Sequence, residues 1–199
     1  MARTQAVNYE ERREAIVEEA AKLYAERGFL GATLSDLAAA CNTSKSLIYH
    51  YYPSKEDILF DVMASHLATL DEAVTEALAS DAPPGDRLRD LSHVFMQRYV
   101  GAAARHKVLL NELGNLPPPR RSEIVARQRR IVDAVERLLQ DLQPRLKGQK
   151  RLSRPAAMLF LGMINWTHTW FDPAGPTSVD MVADLAVDIM TGGLPTIAR

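Results

Sequence analysis

Apolar residues recur at the three-and-four spacing of a helix along nearly the whole chain, and strand-like alternation is nearly absent. Residues 9–27 set Ile16, Val17, Ala20, Ala21 and Tyr24 on one stripe with Glu and Arg elsewhere, and Gly28 supplies a stop. Thr33-Leu34-Ser35-Asp36 has the form of a capping box and predicts a short helix carrying Leu37, Ala38 and Ala40. Asn42 enters the left-handed region more readily than most residues, so a sharp turn is expected there. Thr43 or Ser44 then caps a second short helix, which Pro53 ends by disfavouring helical geometry at Tyr52. Ser54-Lys55-Glu56-Asp57 opens a long helix through Ile58, Leu59, Val62, Met63, Leu67, Leu70, Val74 and Leu78.

Breaks at residues 81–85, 115–119, 147–150 and 172–176 delimit the rest. Helices are expected over 86–104, just before residue 115, and over 120–143, 153–170 and 178–191. The pattern predicts an all-α protein of about nine helices without a sheet. A three-helix N-terminal domain (residues 1–54) would precede a larger helical domain (residues 55–199).

Composition narrows this only a little. The 199 residues are 47% hydrophobic and 25% charged, with a formal charge of −1. Residues 1–60 hold seven Lys or Arg against nine Asp or Glu, so an anionic partner would need a local basic surface. Cys41 is the only cysteine, and the histidines at 50, 66, 93, 106 and 168 lack zinc-motif spacing. No metal site, cofactor or catalytic constellation is expected. The longest apolar run, Ala156 to Ile164, is nine residues, about half of a membrane span. The opening MARTQAVNYEERRE has no apolar core, so a cytoplasmic protein without membrane association is the simplest expectation.

Two short helices joined by a tight turn after a longer helix form a helix-turn-helix layout. Its second helix, residues 44–52, would lie in a DNA major groove. Leu47 or Ile48 and Tyr51 can face the protein, leaving Thr43, Ser44, Lys45, Ser46, Tyr49 and His50 outward for base edges and phosphates. Tyr49 and Tyr52 carry phenolic donors, Lys55 sits where a phosphate can be held, and Arg3, Arg12 and Arg13 add charge ahead of the first helix. The plainer alternative is that Tyr49-His50-Tyr51-Tyr52 packs a corner between helices. Neighbouring rings on a helix diverge, which argues against a shared metal or substrate.

The segment TLSDLAAACNTSKSLIYHYYPSKE, residues 33–56, resembles the DNA-binding domain of the TetR/AcrR family of transcription regulators. The likeness extends back through EAIVEEAAKLYAERGFLGAT and covers about residues 10–60. By resemblance Gly28 and Phe29 close the first helix, Thr33 caps the second near a phosphate, and Lys45, Tyr49, His50 and Lys55 belong to the DNA-facing set. Tyr52 stands where the family more often has phenylalanine, and Asn42 where it usually has glycine.

The resemblance implies a homodimer that binds a palindromic double-stranded DNA operator and is released by a small effector. Dimerisation would use helices 153–170 and 178–191, through Ala156, Ala157, Phe160, Leu161, Met163, Ile164, Val179, Val182, Leu185, Ala186 and Ile189, with the inner sides of the same helices packing the protomer core. Candidate effector-lining residues are Phe95, Met96, Tyr99, Val100, Leu109, Leu113, Phe160, Met163, Asn165, Trp166 and Trp170. Residues 158–194 are similar to the branch that responds to acyl-CoA thioesters, with Arg105, Lys107, Arg120, Arg121, Arg127, Arg129 and Arg130 as a basic rim for phosphates. The alternatives are a regulator of an efflux operon responding to multidrug-like molecules, and a helical protein-interaction module that does not bind DNA.

Overall fold

The computed structural model describes the backbone of residues 2–197 and the side chains of residues 9–195. Nine α-helices and three short 3-10 turns account for the regular structure among the described residues, with no strand. The helices are α1 Ala2–Gly31, α2 Leu34–Ala40, α3 Lys45–Tyr51, α4 Lys55–Ala79, α5 Pro84–Gly101, α6 Ala103–Asn111, α7 Pro118–Leu142, α8 Lys150–Asn165 and α9 Val179–Ile197.

Local chemistry sets these boundaries. Gly28 adopts φ 73° and ψ 158°, a conformation that side chains resist, and the chain kinks there before α1 ends at Gly31. At α2 the capping box is reciprocal: the Asp36 amide donates to Thr33 Oγ1 at 3.1 Å and the Thr33 amide donates to Asp36 Oδ2 at 2.9 Å. Asn42 turns the chain with φ 48°. Ser44, rather than Thr43, caps α3 by accepting from the Leu47 amide at 3.2 Å. Tyr52 is extended (φ −136°, ψ 117°), as a residue before proline should be. Ser54 and Asp57 then cap α4, with the Asp57 amide donating to Ser54 Oγ at 3.1 Å.

Two expected boundaries differ. The helix expected over 86–104 begins at Pro84, which suits a first turn, and is interrupted at Ala102, where φ −128° separates α5 from α6. The helix expected over 153–170 stops at Asn165, and Trp166–Thr169 tightens into a 3-10 turn.

By packing, the chain divides into two compact units. The first comprises Met1–His66 and Ala104–Ile124, the second Leu67–Ala103 and Val125–Arg199. In the first unit α2 packs on α1 and α3, burying Ile16, Val17, Ala20 and Tyr24 with Leu37, Ile48, Ile58 and Leu59. Each buried Val, Leu or Ile among them contributes about 1.5–3 kcal/mol by leaving water. Polar groups stitch α6 to the same unit. Arg105 donates to Glu14, to Glu18 at 3.0 Å and to Ser65 at 3.3 Å, and buried His66 and His106 share a 3.1 Å hydrogen bond. In the second unit α5 packs most extensively on α9 and also on α8, around Leu88, Phe95, Met96, Phe160, Ile164 and Val187. No helix among the described residues is long and apolar enough to cross a membrane.

Candidate nucleic-acid interface and effector residues

Ile48 anchors α3. Its side chain is fully buried, Leu47 and Tyr51 are half-buried beside it, and the opposite face of the helix is left to solvent. That face presents Ser44, Lys45, Ser46, Tyr49 and His50, all exposed, with Thr43 at its edge. Tyr49 retains 53% of its surface. Thr33 is exposed at the start of α2, its hydroxyl donating to Asp36 Oδ2 at 2.6 Å. These hydrogen bonds hold the Asp36 carboxyl below its ordinary range, with the Thr33 side chain contributing most.

Two residues expected to face phosphate are turned inward. Tyr52 is 3% exposed, and its hydroxyl donates to Asp61 Oδ2 at 2.5 Å while accepting from Arg13 Nε at 3.1 Å. Arg13 Nη2 also donates to Asp61 at 2.5 Å, so the three side chains tie α1, the end of α3 and α4 together. Burial and then the Asp61 hydrogen bond push the Tyr52 phenol well above its ordinary value. The phenol is a structural tie, which corrects its expected place among the DNA contacts. The Lys55 ammonium donates to the Phe29 carbonyl and lies over the Phe29 ring, 4.0 Å from its centroid. Burial lowers its pKa, and it locks the start of α4 to the end of α1. Arg3 lies outside the residues whose side chains are described. Tyr9, which the sequence reading passed over, stacks on Tyr51 with ring centroids 4.7 Å apart.

A cleft of about 320 Å³ between α1 and the turn is lined by Arg12, Glu19, Cys41, Asn42 and Tyr51, among others. Burial raises the Cys41 thiol, so it is a poor nucleophile.

The effector candidates separate between the units. Leu109 and Leu113 belong to the first, whereas Phe95, Met96, Tyr99, Val100, Phe160, Met163, Asn165, Trp166 and Trp170 belong to the second. Phe95, Met96, Tyr99, Leu109 and Phe160 are buried, Val100, Leu113, Met163 and Asn165 are half-buried, and Trp166 and Trp170 are 65% and 57% exposed. The Asn165 side-chain oxygen and Arg98 Nη1 are buried without a hydrogen-bond partner among the described residues. Arg98 was missed in the sequence because an arginine between Met96 and Tyr99 reads as a solvated position. The expected basic rim is partly committed to carboxylates: Arg105 to Glu14 and Glu18, Arg120 to Asp57, and Arg130 to Asp71.

The outer faces of α8 and α9 carry large apolar side chains. Met158 and Leu159 are exposed on α8, Trp166 in the turn that follows it, and Met181, Leu185 and Ile189 on α9, beside the exposed carboxylates of Asp180 and Asp188. Ala156, Ala157, Phe160, Leu161, Ile164, Val182 and Ala186 are buried within the protomer, on the inner sides of the two helices, whereas Leu185 and Ile189 are exposed.

Residues 16–62 match the family described as bacterial regulatory proteins, tetR family, and residues 81–194, more than half of the chain, match the tetracyclin repressor-like C-terminal domain. The chain belongs to the TetR family. It is a helix-turn-helix, DNA-binding transcription regulator that forms homodimers, and it is not an enzyme. A TetR-family regulator from Bordetella parapertussis 12822 superposes with a TM-score of 0.85 at 35% identity, covering 89% of this chain and 93% of that one. The structure of AibR in complex with isovaleryl coenzyme A and operator DNA superposes at 0.77 with 30% identity, covering 89% and 97%. The transcriptional repressor KstR2 of Rhodococcus jostii is 27% identical over 192 residues, 92% of this chain and 91% of that protein. The likeness to the regulator BetI of Agrobacterium fabrum, 33% over 86 residues, spans 42% of that protein's length. At this level the matches support ligand-responsive repression of the TetR type.

Proposed function

We propose that the homodimer represses transcription by binding a short, nearly palindromic operator. Residues 1–54 act as the reading head, and residues 55–199 hold the effector and the dimer contacts. The observation that carries this reading is the exposed polar row Ser44, Lys45, Ser46, Tyr49 and His50 opposite buried Ile48. Hydroxyls, an ammonium and an imidazole on one face of a short helix suit base edges and phosphate oxygens. Thr33 and Thr43 contact the flanking backbone. The dimer closes through the apolar faces of α8 and α9.

The effector is an acyl-CoA thioester. AibR, similar over 89% of this chain, was solved with such a thioester and operator DNA together. The buried apolar side chains Phe95, Met96, Tyr99 and Phe160 would suit an acyl group if the helices part to admit it, and the unpartnered Asn165 Oδ1 and Arg98 Nη1 would offer it an acceptor and a donor. An unpaired buried polar atom costs about 1–3 kcal/mol, which a ligand hydrogen bond recovers. Because the effector binds the DNA-free form more tightly, operator affinity falls as effector rises.

The test is operator selection from genomic fragments, followed by release assays with a panel of CoA thioesters and a panel of multidrug-like cations. Release by thioesters at micromolar concentration supports the reading. Release by the cations alone assigns the protein to efflux control.

A further inference from the structure

Three rings from two helices meet beside the reading face. Tyr9 on α1 stacks on Tyr51 of α3 at 4.7 Å with planes 34° apart, and meets His50 edge-on at 6.4 Å and 79°. His50 in turn stands edge-on to Tyr51 at 5.3 Å and 87°. Tyr51 is half-buried, Tyr9 is 38% exposed, and His50 is exposed.

An exposed histidine near the end of a seven-residue helix ordinarily samples several rotamers. Edge-to-face contact with two rings selects among them, because each ring edge is attracted to the other ring's face. An imidazole N–H can donate to one acceptor on a base edge, such as N7 or O6 of a guanine. A side chain held in one orientation discriminates bases better than one that must be ordered on binding.

We infer that Tyr9 is a positioning residue for operator recognition, its ring fixing His50 in the orientation from which His50 reads a base. The inference rests on the proposal that α3 reads DNA. The rival role for Tyr9 is purely structural, tying α1 to α3 through Tyr51, and would weaken binding to all sequences alike.

The experiment is selection of bound sequences from a randomised DNA pool by the wild-type dimer and by Tyr9→Ala, Tyr9→Phe, His50→Ala and Tyr9→Ala/His50→Ala. Circular dichroism and sedimentation establish that each variant remains folded and dimeric. Tyr9→Ala and His50→Ala are expected to relax preference at the same symmetric pair of operator positions, by about three- to tenfold. Tyr9→Phe retains the preference because the ring, not the hydroxyl, does the positioning. The double variant loses no more discrimination than His50→Ala alone, the non-additivity of a coupled pair. A preference that Tyr9→Ala leaves untouched, or a loss spread evenly over all positions, overturns the inference while leaving the DNA-reading proposal standing. A wild-type dimer that enriches no sequence overturns both.

Discussion

The outer face of α3 and the outer faces of α8 and α9 are both exposed, with opposite chemistry. On α3 the solvent side holds serines, a lysine, a tyrosine and a histidine, while one isoleucine, Ile48, secures the helix from beneath. On α8 and α9 the solvent side carries large apolar side chains, Met158, Leu159, Met181, Leu185 and Ile189, beside the α9 carboxylates Asp180, Asp184 and Asp188, while Phe160, Ile164, Val182 and Val187 are buried on the same helices. The first pattern suits a polar, charged partner that arrives and leaves. The second suits a permanent apolar partner, because five large apolar side chains left exposed on two helices are unfavourable in water. A second copy of the chain meets that requirement on both sides at once.

The sharpest way to break this comparison is to place a charge in the apolar face. Ile189→Glu should convert the dimer to a folded monomer in sedimentation. Operator affinity should fall by about a hundredfold or more, since the two heads no longer act as one ligand. A dimer that survives would move the contact to another surface.

Next in size is the tie beneath the reading helix. Asp61→Ala removes the acceptor for both Tyr52 and Arg13 and should destabilise the fold by about 1–3 kcal/mol in denaturant unfolding. Tyr52→Phe, which leaves the ring in place, should cost less. Equal and negligible effects would mean that the inward network is not structural.

On the outer side, Lys45→Ala should weaken operator binding without changing stability, and should lower the salt dependence by about one released ion per protomer. Arg98→Met is expected to spare operator affinity and raise the thioester concentration needed for release. Loss of operator binding in that variant would count against its assignment to the effector side.

The smallest effect concerns acid. Thr33 holds Asp36 deprotonated below its ordinary range, so the folded-state pKa lies under the unfolded one. The stability from this cap is complete above the unfolded value near pH ~4 and is lost as pH falls through the lower folded value. Asp36→Asn should flatten the acid limb of a stability profile, and an unchanged limb would exclude the cap from acid unfolding.

The same contrast governs what the sequence could reveal. The head was legible because local chemistry writes its boundaries: Thr33 with Asp36, Asn42 at positive φ, Ser44 as a cap, and Pro53 after an extended Tyr52. The inward turn of Tyr52 and Lys55 was not, since it depends on Asp61 and on the Phe29 carbonyl, distant in sequence. Helical periodicity finds apolar residues on α8 and α9 and implies an inner side to each, but it does not tell which residues lie there: Phe160 and Leu161 are buried, Leu185 and Ile189 exposed. Nor does it tell that α6, with Leu109, joins the first packing unit after the chain has already entered the second.

The central claim is that α3 of each protomer reads one half of a two-fold operator. Base-resolution footprinting of the dimer on its selected operator tests this most directly. The account predicts two major-groove protections about 10 base pairs apart, or a multiple of that spacing, both lost when Lys45, Ser46, Tyr49 and His50 are replaced by alanine in a folded dimer. Protection that persists in that variant would contradict it.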